Sequence, residues 1–443
     1  MTLQVLDCTL RDGGYYNSWD FGIDLINDYL KAMSAISVDY VELGFRSLDT
    51  TGFKGGCAYT TDSFIKKLDI PSELKLGVMI NASEILNHRK RQASTLSQLF
   101  KPSSKSPLTL VRIVCHMHEF ESSLSLKDFF YLIWLILCYP FRTLRLIAKE
   151  ESEDDNIFNI NLLKDISNQG IDSFSRYIFG RNISKIRNIN KIYSWSEFQN
   201  LERSFNYAIR KDSNIKIFAC QFYINYPAYF SSVVQDIDEL LGYAPHKVLV
   251  NGKEYIVDNN IDYQLGVSLR YNKVFKYKRE DNGSSTIVLG SYLIGETNNL
   301  LGVIQGLDNV VFKGHPAIHI STIKAYLLKG IQTTNEDIYD LFPNAAIVVG
   351  AASGTLLEAV ACGASVIVVA QKEGLITNPL VDFGKGKIWD IVFSEIELKI
   401  KYRELLVFRE NNQDEINTIA DWYKDNFFVE PTVENISKVF ELE

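Results

Sequence analysis

The sequence contains few cysteines, and none of them forms a paired motif. The six are scattered along 443 residues: Cys8, Cys57, Cys115, Cys138, Cys220 and Cys362. A disulfide framework is typical of short secreted chains in which cysteine is dense, so this pattern predicts a reduced, cytoplasmic protein. The amino terminus has no basic segment followed by an apolar one, and we therefore expect no signal peptide.

A surplus of basic residues is also missing. Asp and Glu number 54 against 46 for Lys and Arg, which gives a formal net charge of −8. Surfaces that bind nucleic acid need clustered Lys and Arg, so we expect no nucleic-acid partner. The chain is 46% hydrophobic and 23% charged, which is ordinary for a folded protein with large cores. Its length has room for about three domains.

One apolar stretch, from Phe129 to Phe141, is too short to span a bilayer. It is interrupted by Pro140, and a spanning helix needs about 17–25 apolar residues. Three basic residues follow it: Arg142, Arg145 and Lys149. An apolar helix with a basic end suits contact of residues 129–149 with an anionic membrane surface. A buried helix with a basic end fits the same pattern.

The amino-terminal part of the chain alternates between strand and helix patterns. Four strand-like segments, "LQVLDCTL", "VDYVELGF", "ELKLGVMIN" and "LTLVRIVCH", are separated by helical patterns. Such a series with short connections predicts a parallel sheet or a β/α barrel over residues 1–125. The acidic segment "KEESEDDN" (149–156) is the candidate boundary, so residues 126–155 are expected to be an apolar helix and a linker.

A second β/α series follows the linker. "NIKIFACQFY" and "HKVLVNG" predict strands within residues 156–280. "TIVLGSYLIG", "NVVFKGHP", "AIVVGAASGTLLEAVACG" and "SVIVVAQ" predict a further β/α region within residues 281–443, with a helical tail. The expected fold class is therefore α/β, with a partial barrel-like module followed by Rossmann-like domains.

Charged residues follow the predicted amino-terminal strands. In a β/α barrel, functional side chains lie at the carboxyl ends of the strands. The first strand would deliver Arg11 and Asp12 there, and the others would deliver Glu42, Arg46, Asn81, Cys115 and His116. A carboxylate beside a guanidinium suits a divalent metal site for an oxyacid, because the carboxylate holds the cation and the guanidinium polarises an oxygen. An Arg–Asp pair that only holds a loop fits the same residues.

The segments "DCTLRDGGY", "VELGFR" and "GGCAYTTD" together resemble the pyruvate-aldolase and acyl-lyase barrels of the HMG-CoA-lyase-like superfamily, especially versions from bacterial surface-polysaccharide gene clusters. The resemblance covers residues 1–120. It implies that Asp12 binds a divalent metal, Mn²⁺ or Mg²⁺, and that Arg11 stabilises an enolate. It covers only half a barrel, since eight β/α units need about 250 residues.

The family also takes two histidine ligands from an HxH motif late in the barrel. The pattern here is "HMH", His116 and His118, at the fourth strand instead. Alternation along a strand places both side chains on one face, so ligation of a metal is physically feasible. A half barrel leaves open parallel edges, and we expect an oligomer contact or a partner to cover them.

A second constellation lies near the carboxyl terminus. "VVFKGHP" (310–316) predicts a buried strand that ends at Lys313, Gly314 and His315. In open α/β sheets, ligands bind at the carboxyl ends of such strands. His315 can donate a hydrogen bond to a phosphate there or protonate a leaving group.

The turn in "AIVVGAASGTLLEAVACG" predicts the other half of this site. Ser353 and Gly354 let backbone approach a ligand closely, and a helix that begins near Thr355 directs its free N–H groups at an anion. A structural interpretation is also open, because Thr355 and Glu358 fit a capping box, in which both residues serve only the helix.

The "GHP" motif and this later turn together resemble the nucleotide-binding domain of GT-B type glycosyltransferases, especially capsule and lipopolysaccharide enzymes such as sialyltransferases. "YSWSEFQNLERSFNYAIRKDSNIKIFACQFY" (193–223) also resembles a segment of surface-carbohydrate transferases, and the resemblance covers residues 190–400. It implies that His315 contacts the donor phosphate and that Glu358 lies near the ribose. The implied phosphate-binding residues are Lys313, Gly314, Ser353, Gly354 and Thr355.

An inverting transferase of this type needs a general base on the acceptor side. Glu197, Glu202 and Asp212 are candidates, although each also fits a solvated helix face. No metal is required for transfer, because a helix amino terminus and a histidine can balance the phosphate charge.

The sequence supports three functional hypotheses. The first is a glycosyltransferase of bacterial surface-polysaccharide biosynthesis that moves a sugar from a nucleotide-activated donor to a glycan acceptor, in the cytoplasm or peripherally at the inner membrane. The second is a divalent-metal-dependent aldolase or lyase that acts on a 2-oxo acid for keto-sugar synthesis, with Asp12 and Arg11 in its site. The third is a non-catalytic docking protein or a degenerate fusion.

Overall fold

The structure is a computed structural model, and it describes residues 5–48, 51–86, 92–114, 126–147, 160–161, 164, 170–186, 189–278, 283–316, 318–351, 353–372 and 376–441. The chain divides into two compact units, Met1–Ser175 and Arg176–Glu443. The first unit contains a four-stranded sheet, and the second contains one sheet of four strands and one of six.

The first unit is built on an open parallel sheet. Its strands, in spatial order, are β1 (Leu6–Asp7), β2 (Tyr40–Phe45), β3 (Lys75–Asn81) and β4 (Leu108–Val114). Val41 and Leu43 pack with Ile26 and Leu30 of the preceding helix in one buried cluster. The order along the chain is the order in the sheet, as expected for successive β/α units, and the described strands form no closed barrel.

The first strand is shorter than the sequence predicts. It ends at Asp7, and residues Thr9–Gly13 form a helix, so Arg11 and Asp12 lie in that helix rather than at a strand end. The cause is local, because the Asp7 carboxylate accepts hydrogen bonds from the Thr9 backbone N–H (2.9 Å) and the Thr9 hydroxyl (3.0 Å). An aspartate that bonds the backbone two residues later favours a turn over a continuing strand.

Helices connect and follow the strands of the first unit. Their bounds are Thr9–Gly13, Ile23–Ala35, Gly56–Tyr59, Asp62–Ile65, Ala82–Leu86, Gln92–Leu99 and Leu126–Ile147. The last of these contains Pro140 and continues through it. Within the described part of the chain, no helix is long and apolar enough to cross a membrane.

Two parallel sheets form the second unit. One has the order β5 (Lys191–Trp195), β6 (Lys216–Gln221), β7 (Lys247–Val250) and β8 (Tyr263–Leu265). The other has the order β11 (Gln332–Thr334), β10 (Val310–Lys313), β9 (Ser285–Leu289), β12 (Ala345–Gly350), β13 (Ser365–Val369) and β14 (Trp389–Val392). Every strand pairing is parallel. The predicted α/β fold class with Rossmann-like parallel sheets is therefore confirmed.

The six-stranded sheet is covered by helices on both faces. The helices of the second unit are Ile171–Ile183, which begins in the first unit, Asn200–Asp212, Asp236–Leu240, Asn272–Lys276, Ile294–Val303, Ile338–Leu341, Thr355–Ala361, Glu395–Asn411, Gln413–Phe427 and Val433–Phe440. Val348 and Val366 pack with Leu356 on one face, whereas Ile347 and Ile367 pack with Leu398 on the other. Burial on both faces explains why these strands are nearly continuous apolar runs in the sequence.

The carboxyl-terminal helices pack against the four-stranded sheet of the second unit. The Phe440 ring lies 5.2 Å from the Tyr193 ring, and the backbone of Val429 exchanges hydrogen bonds with Ser268. Glycine at position 252 allows the carboxyl-terminal segment to pack this closely, since a Cβ placed there would lie 2.3 Å from the Asn426 carbonyl oxygen. Sequence alone gives no sign of this contact, because the two segments are 174 residues apart.

We predict that Gly252→Ala destabilises the second unit. The added methyl group would overlap backbone atoms, which cannot be moved by a rotamer change, and overpacking typically costs about 1–3 kcal/mol. The melting temperature should fall by roughly 3–8 °C. Gly302→Ala is the matched control, because nothing lies within 4 Å of its Cβ position and alanine favours a helix. Equal melting temperatures for Gly252→Ala and the wild type would contradict the contact.

Candidate functional site

A cleft of about 510 Å³ lies at the carboxyl ends of the strands in the second unit. On one side, β9 leads into Gly290 and Tyr292, and β10 leads into Gly314 and His315. The turn after β12 contributes the third element of this side. Because all six strands are parallel, their carboxyl ends meet at the same edge of the sheet, and the turns that follow them share the cleft.

The cleft brings together every residue predicted for the phosphate site. They come from the end of β10, the turns after β10 and β12, and one helix: Lys313, Gly314, His315, Ser353, Gly354, Thr355 and Glu358. In the sheet order, β9 separates β10 from β12, so the two turns lie on either side of one strand. The roles assigned to these residues stay predictions, whereas their proximity is a feature of the structure.

The small-residue turn differs in one respect from the sequence interpretation. The helix runs from Thr355 to Ala361, and its amino-terminal cap is Gly354, with no side-chain cap. The capping box between Thr355 and Glu358 is therefore wrong. Thr355 is already the first helical residue, and the Glu358 carboxylate accepts its hydrogen bond from the Tyr339 hydroxyl instead.

Glu358 is the carboxylate of the cleft. Burial raises its pKa above the ordinary value of 4.5, while the Tyr339 hydroxyl and the positive charge of Arg270 act in the opposite direction. The same contact and burial raise the pKa of Tyr339, so its proton stays on the phenol and is donated to Glu358. A carboxylate held this way can accept hydrogen bonds from ligand hydroxyl groups.

Opposite Glu358 in charge, the cleft has two cationic side chains, Lys313 and Arg270, together with the imidazole of His315. Burial lowers the pKa of His315, so its imidazole is neutral at pH 7 and can donate one N–H. Lys313 donates from its ammonium group to the Glu336 carbonyl at 2.5 Å. Arg270 is exposed at the margin of the cleft. The ammonium group of Lys313 and the guanidinium group of Arg270 give the cleft positive charge that suits an anionic ligand, and His315 adds a neutral hydrogen-bond donor.

The opposite wall of the cleft comes from the four-stranded sheet. Tyr223, Ile224 and Tyr226 follow β6, and the Ile224 N–H donates to the Tyr271 hydroxyl at 3.1 Å. Tyr229, three residues after Tyr226, approaches Tyr292 of the other side, with 3.5 Å between their hydroxyl oxygens. Sequence reasoning missed this wall. The one available signal was the cluster of tyrosines directly after a predicted strand, in "QFYINYPAYF".

The three candidate general bases lie outside the cleft as the structure describes it. Glu197 accepts a hydrogen bond from the Gln199 amide at 2.9 Å, and Glu202 accepts from the Gln199 backbone at 3.0 Å. Asp212 pairs with Arg181 at 3.4 Å. All three therefore have local structural partners at the ends of the helix Asn200–Asp212 or beside it.

In the first unit, the charged residues are organised around Glu42. This side chain is fully buried and lies between two guanidinium groups. Arg11 donates from Nε at 3.0 Å, and Arg112 donates from Nε at 2.6 Å and from Nη2 at 2.8 Å. Asp12 is 61% exposed and pairs with Arg11 at 2.7 Å. Arg112 was not anticipated as part of this cluster.

These residues do not fit the divalent metal implied by the aldolase resemblance. Two guanidinium groups already occupy the buried carboxylate, and they would repel a cation placed between Asp12 and Glu42. No group of three or more His, Cys, Asp or Glu side chains arranged for a metal occurs among the described residues. Cys115, His116 and His118 lie outside the described residues.

Two further residues were predicted at the ends of these strands, Arg46 and Asn81, and the structure describes both. Arg46 is buried, donates to the carbonyls of Thr60 (2.7 Å) and Leu99 (2.5 Å), and forms an ion pair with Asp62. Asn81 is the last residue of β3. Arg46 thus joins three segments of the chain through its hydrogen bonds and its ion pair.

The comparisons with known proteins return only structural similarity. No protein-family model matches the chain, and no curated protein matches it. UDP-GlcNAc 2-epimerase from Methanocaldococcus jannaschii is 11% identical, with 86% of this chain and 94% of that chain covered and a TM-score of 0.40. MurG from Acinetobacter baumannii is 10% identical, with 83% and 91% covered and a TM-score of 0.39. The pneumococcal O-GlcNAc transferase GtfA, solved with UDP and GlcNAc, is 13% identical, with 60% of each chain covered and a TM-score of 0.34. At these values the matches do not identify the reaction of this chain.

We predict that Glu358→Gln stabilises the protein at neutral pH. Since burial raises the pKa of Glu358, the protonated form is favoured by folding, and this stability is present below pH 4.5 and lost as the pH rises through the raised pKa. Glutamine carries no charge and keeps an oxygen that accepts from Tyr339. Melting temperatures measured between pH 4 and 8 should show a gain at pH 7–8 that disappears as the pH falls toward 4.5.

The exposed Glu410→Gln is the control for this measurement and should show no such pH-dependent gain. A gain for Glu358→Gln of the same size at every pH would mean that the charge of Glu358 is not responsible.

Proposed function

We propose that the protein is a glycosyltransferase that uses a nucleotide-activated sugar as donor. One observation carries this proposal: the two turns predicted to bind phosphate, with His315, Lys313 and Glu358, line a single cleft between two parallel sheets. The cleft is large enough for a nucleotide and offers cationic groups, backbone of a small-residue turn and one carboxylate. Those are the groups that a nucleoside diphosphate and its ribose would contact.

In the proposed reaction, an acceptor hydroxyl attacks the anomeric carbon of the donor sugar. A new C–O bond forms to the acceptor, and the bond between the anomeric carbon and the phosphate oxygen breaks. The electron pair leaves with the nucleotide, and the acceptor proton is lost to a base. His315 donates a hydrogen bond to the departing phosphate, while Lys313 and the turn at Ser353–Thr355 stabilise its negative charge. Glu358 accepts from the ribose hydroxyl groups.

A role in bacterial surface polysaccharide, either capsule or lipopolysaccharide, is part of the same proposal. The support is the sequence resemblance of residues 190–400 to such transferases, together with the resemblance of residues 1–120 to barrels from the same kind of gene cluster. The acceptor would then be a glycan, and the protein would act in the cytoplasm or peripherally at the inner membrane. The partner or second copy predicted to cover the open sheet of the first unit stays a prediction that light scattering can test.

We predict that His315→Ala reduces turnover by at least about a hundredfold, because the proposed donor to the leaving phosphate is lost. The measurement is release of nucleotide and formation of glycoside from radiolabelled nucleotide-sugars. His319→Ala is the matched control, since this histidine is exposed, does not line the cleft, and its side chain bonds to nearby Ser321.

Unchanged glycoside formation by His315→Ala would reject the assignment. Release of nucleotide with an altered free sugar and no glycoside, from any acceptor tested, would instead indicate an epimerase-like or hydrolytic reaction in the same cleft.

A further inference from the structure

The long helix of the first unit, Leu126–Ile147, has one buried side. Leu132, Leu135 and Thr143 are buried, and the Tyr139 ring packs edge-on against Phe174 with 6.0 Å between centroids. The helix is therefore held to its unit by one face and does not project freely. Its other face is available for a different contact.

That other face is apolar and exposed. Phe130 and Leu137 are each 62% exposed, and Phe141 is 71% exposed. Six large apolar side chains share this face: Phe130, Ile133, Trp134, Leu137, Phe141 and Leu144. At 3.6 residues per turn they fall within roughly 100° of arc, opposite the buried residues. A contiguous apolar surface of this kind on a folded protein indicates an interaction site.

Basic residues follow one edge of the apolar face. Lys127, Arg142 and Arg145 are exposed, and the Arg142 guanidinium lies 5.8 Å from the centre of the Trp134 ring. The helix has one acidic residue, Asp128, and its position along the helix places it on the buried side. The exposed half of the helix therefore carries aromatic and aliphatic side chains and positive charge. It carries no negative charge.

We infer that this face binds the surface of a membrane containing anionic phospholipid, with the helix axis parallel to the bilayer plane. The six apolar side chains would enter the boundary between headgroups and acyl chains, and the three basic side chains would contact lipid phosphates. Charge decides the occupant, because the basic edge is complementary to an anionic bilayer and repels a second copy of itself. The helix is too short in apolar length to cross instead. This inference goes beyond the proposed transfer reaction and does not depend on it.

The test is binding of the full-length protein to extruded vesicles. The wild type should sediment with vesicles of phosphatidylcholine mixed with phosphatidylglycerol, bind far less to phosphatidylcholine alone, and weaken as salt is raised. Phe130→Ser, Leu137→Ser and Phe141→Ser combined should reduce the partition coefficient by about tenfold or more. Arg142→Gln with Arg145→Gln should reduce it by roughly 25-fold, because each basic side chain contributes about fivefold.

Two controls distinguish binding through this face from non-specific hydrophobic adsorption to the vesicles. Ile396→Ser with Val433→Ser removes other exposed apolar residues, 73% and 82% exposed, and should leave binding unchanged. Brominated phosphatidylcholine in the bilayer should quench tryptophan fluorescence in the wild type, and Trp134→Phe should remove most of that quenching.

Three results would overturn the inference. In the first, the wild type fails to bind anionic vesicles. In the second, the triple apolar variant binds them as well as the wild type does. In the third, the wild type is a dimer, the triple apolar variant is a monomer, and lipid binding is the same for both. The last result would identify the face as an interface between copies of the chain.

Discussion

The parallel alignment of the six-stranded sheet is the constraint on which the candidate site depends. β9 lies between β10 and β12, so the turn that carries His315 and the turn that carries Ser353 leave the same edge of the sheet. Neighbouring strands are about 4.8 Å apart, which places the two turns roughly 10 Å apart. A phosphate or diphosphate group fits between them, and the tyrosines that follow β6 close the cleft from the other sheet.

The two units provide different partners for one glutamate each: Glu42 has charged partners and Glu358 has a neutral one. In the first unit, the buried Glu42 carboxylate is paired with the guanidinium groups of both Arg11 and Arg112, so its charge is balanced within the protein. In the second unit, Glu358 has a neutral hydrogen-bond donor in Tyr339, and both Glu358 and His315 line the cleft. The first arrangement pairs opposite charges within the fold, whereas the second places a carboxylate and an imidazole on the wall of a cleft.

Sequence patterns predicted the parts of the fold that depend on local chemistry. Buried parallel strands are recognisable because both of their faces are apolar, and a motif at a strand's carboxyl end is placed by topology alone. The failures involve contacts between distant segments. Tyr339 replaces Thr355 as the partner of Glu358, Arg112 joins Arg11 at Glu42 across 70 residues, and the tyrosine wall comes from a different sheet. The shortened β1 is different, because its cause is a local hydrogen bond from Thr9 to Asp7, and an aspartate at this spacing is a recognised sequence pattern for a turn.

The central claim is that the cleft of the second unit binds a nucleotide, and ligand-dependent thermal stability measures this most directly. The full-length protein is heated with CMP, CDP, UDP or GDP, each with and without Mn²⁺. We predict that at least one nucleotide raises the melting temperature without metal, since a ligand at a hundred times its Kd adds about 2.7 kcal/mol to the stability of the folded state. Stabilisation by Mn²⁺ alone, with no response to any nucleotide, would contradict the claim.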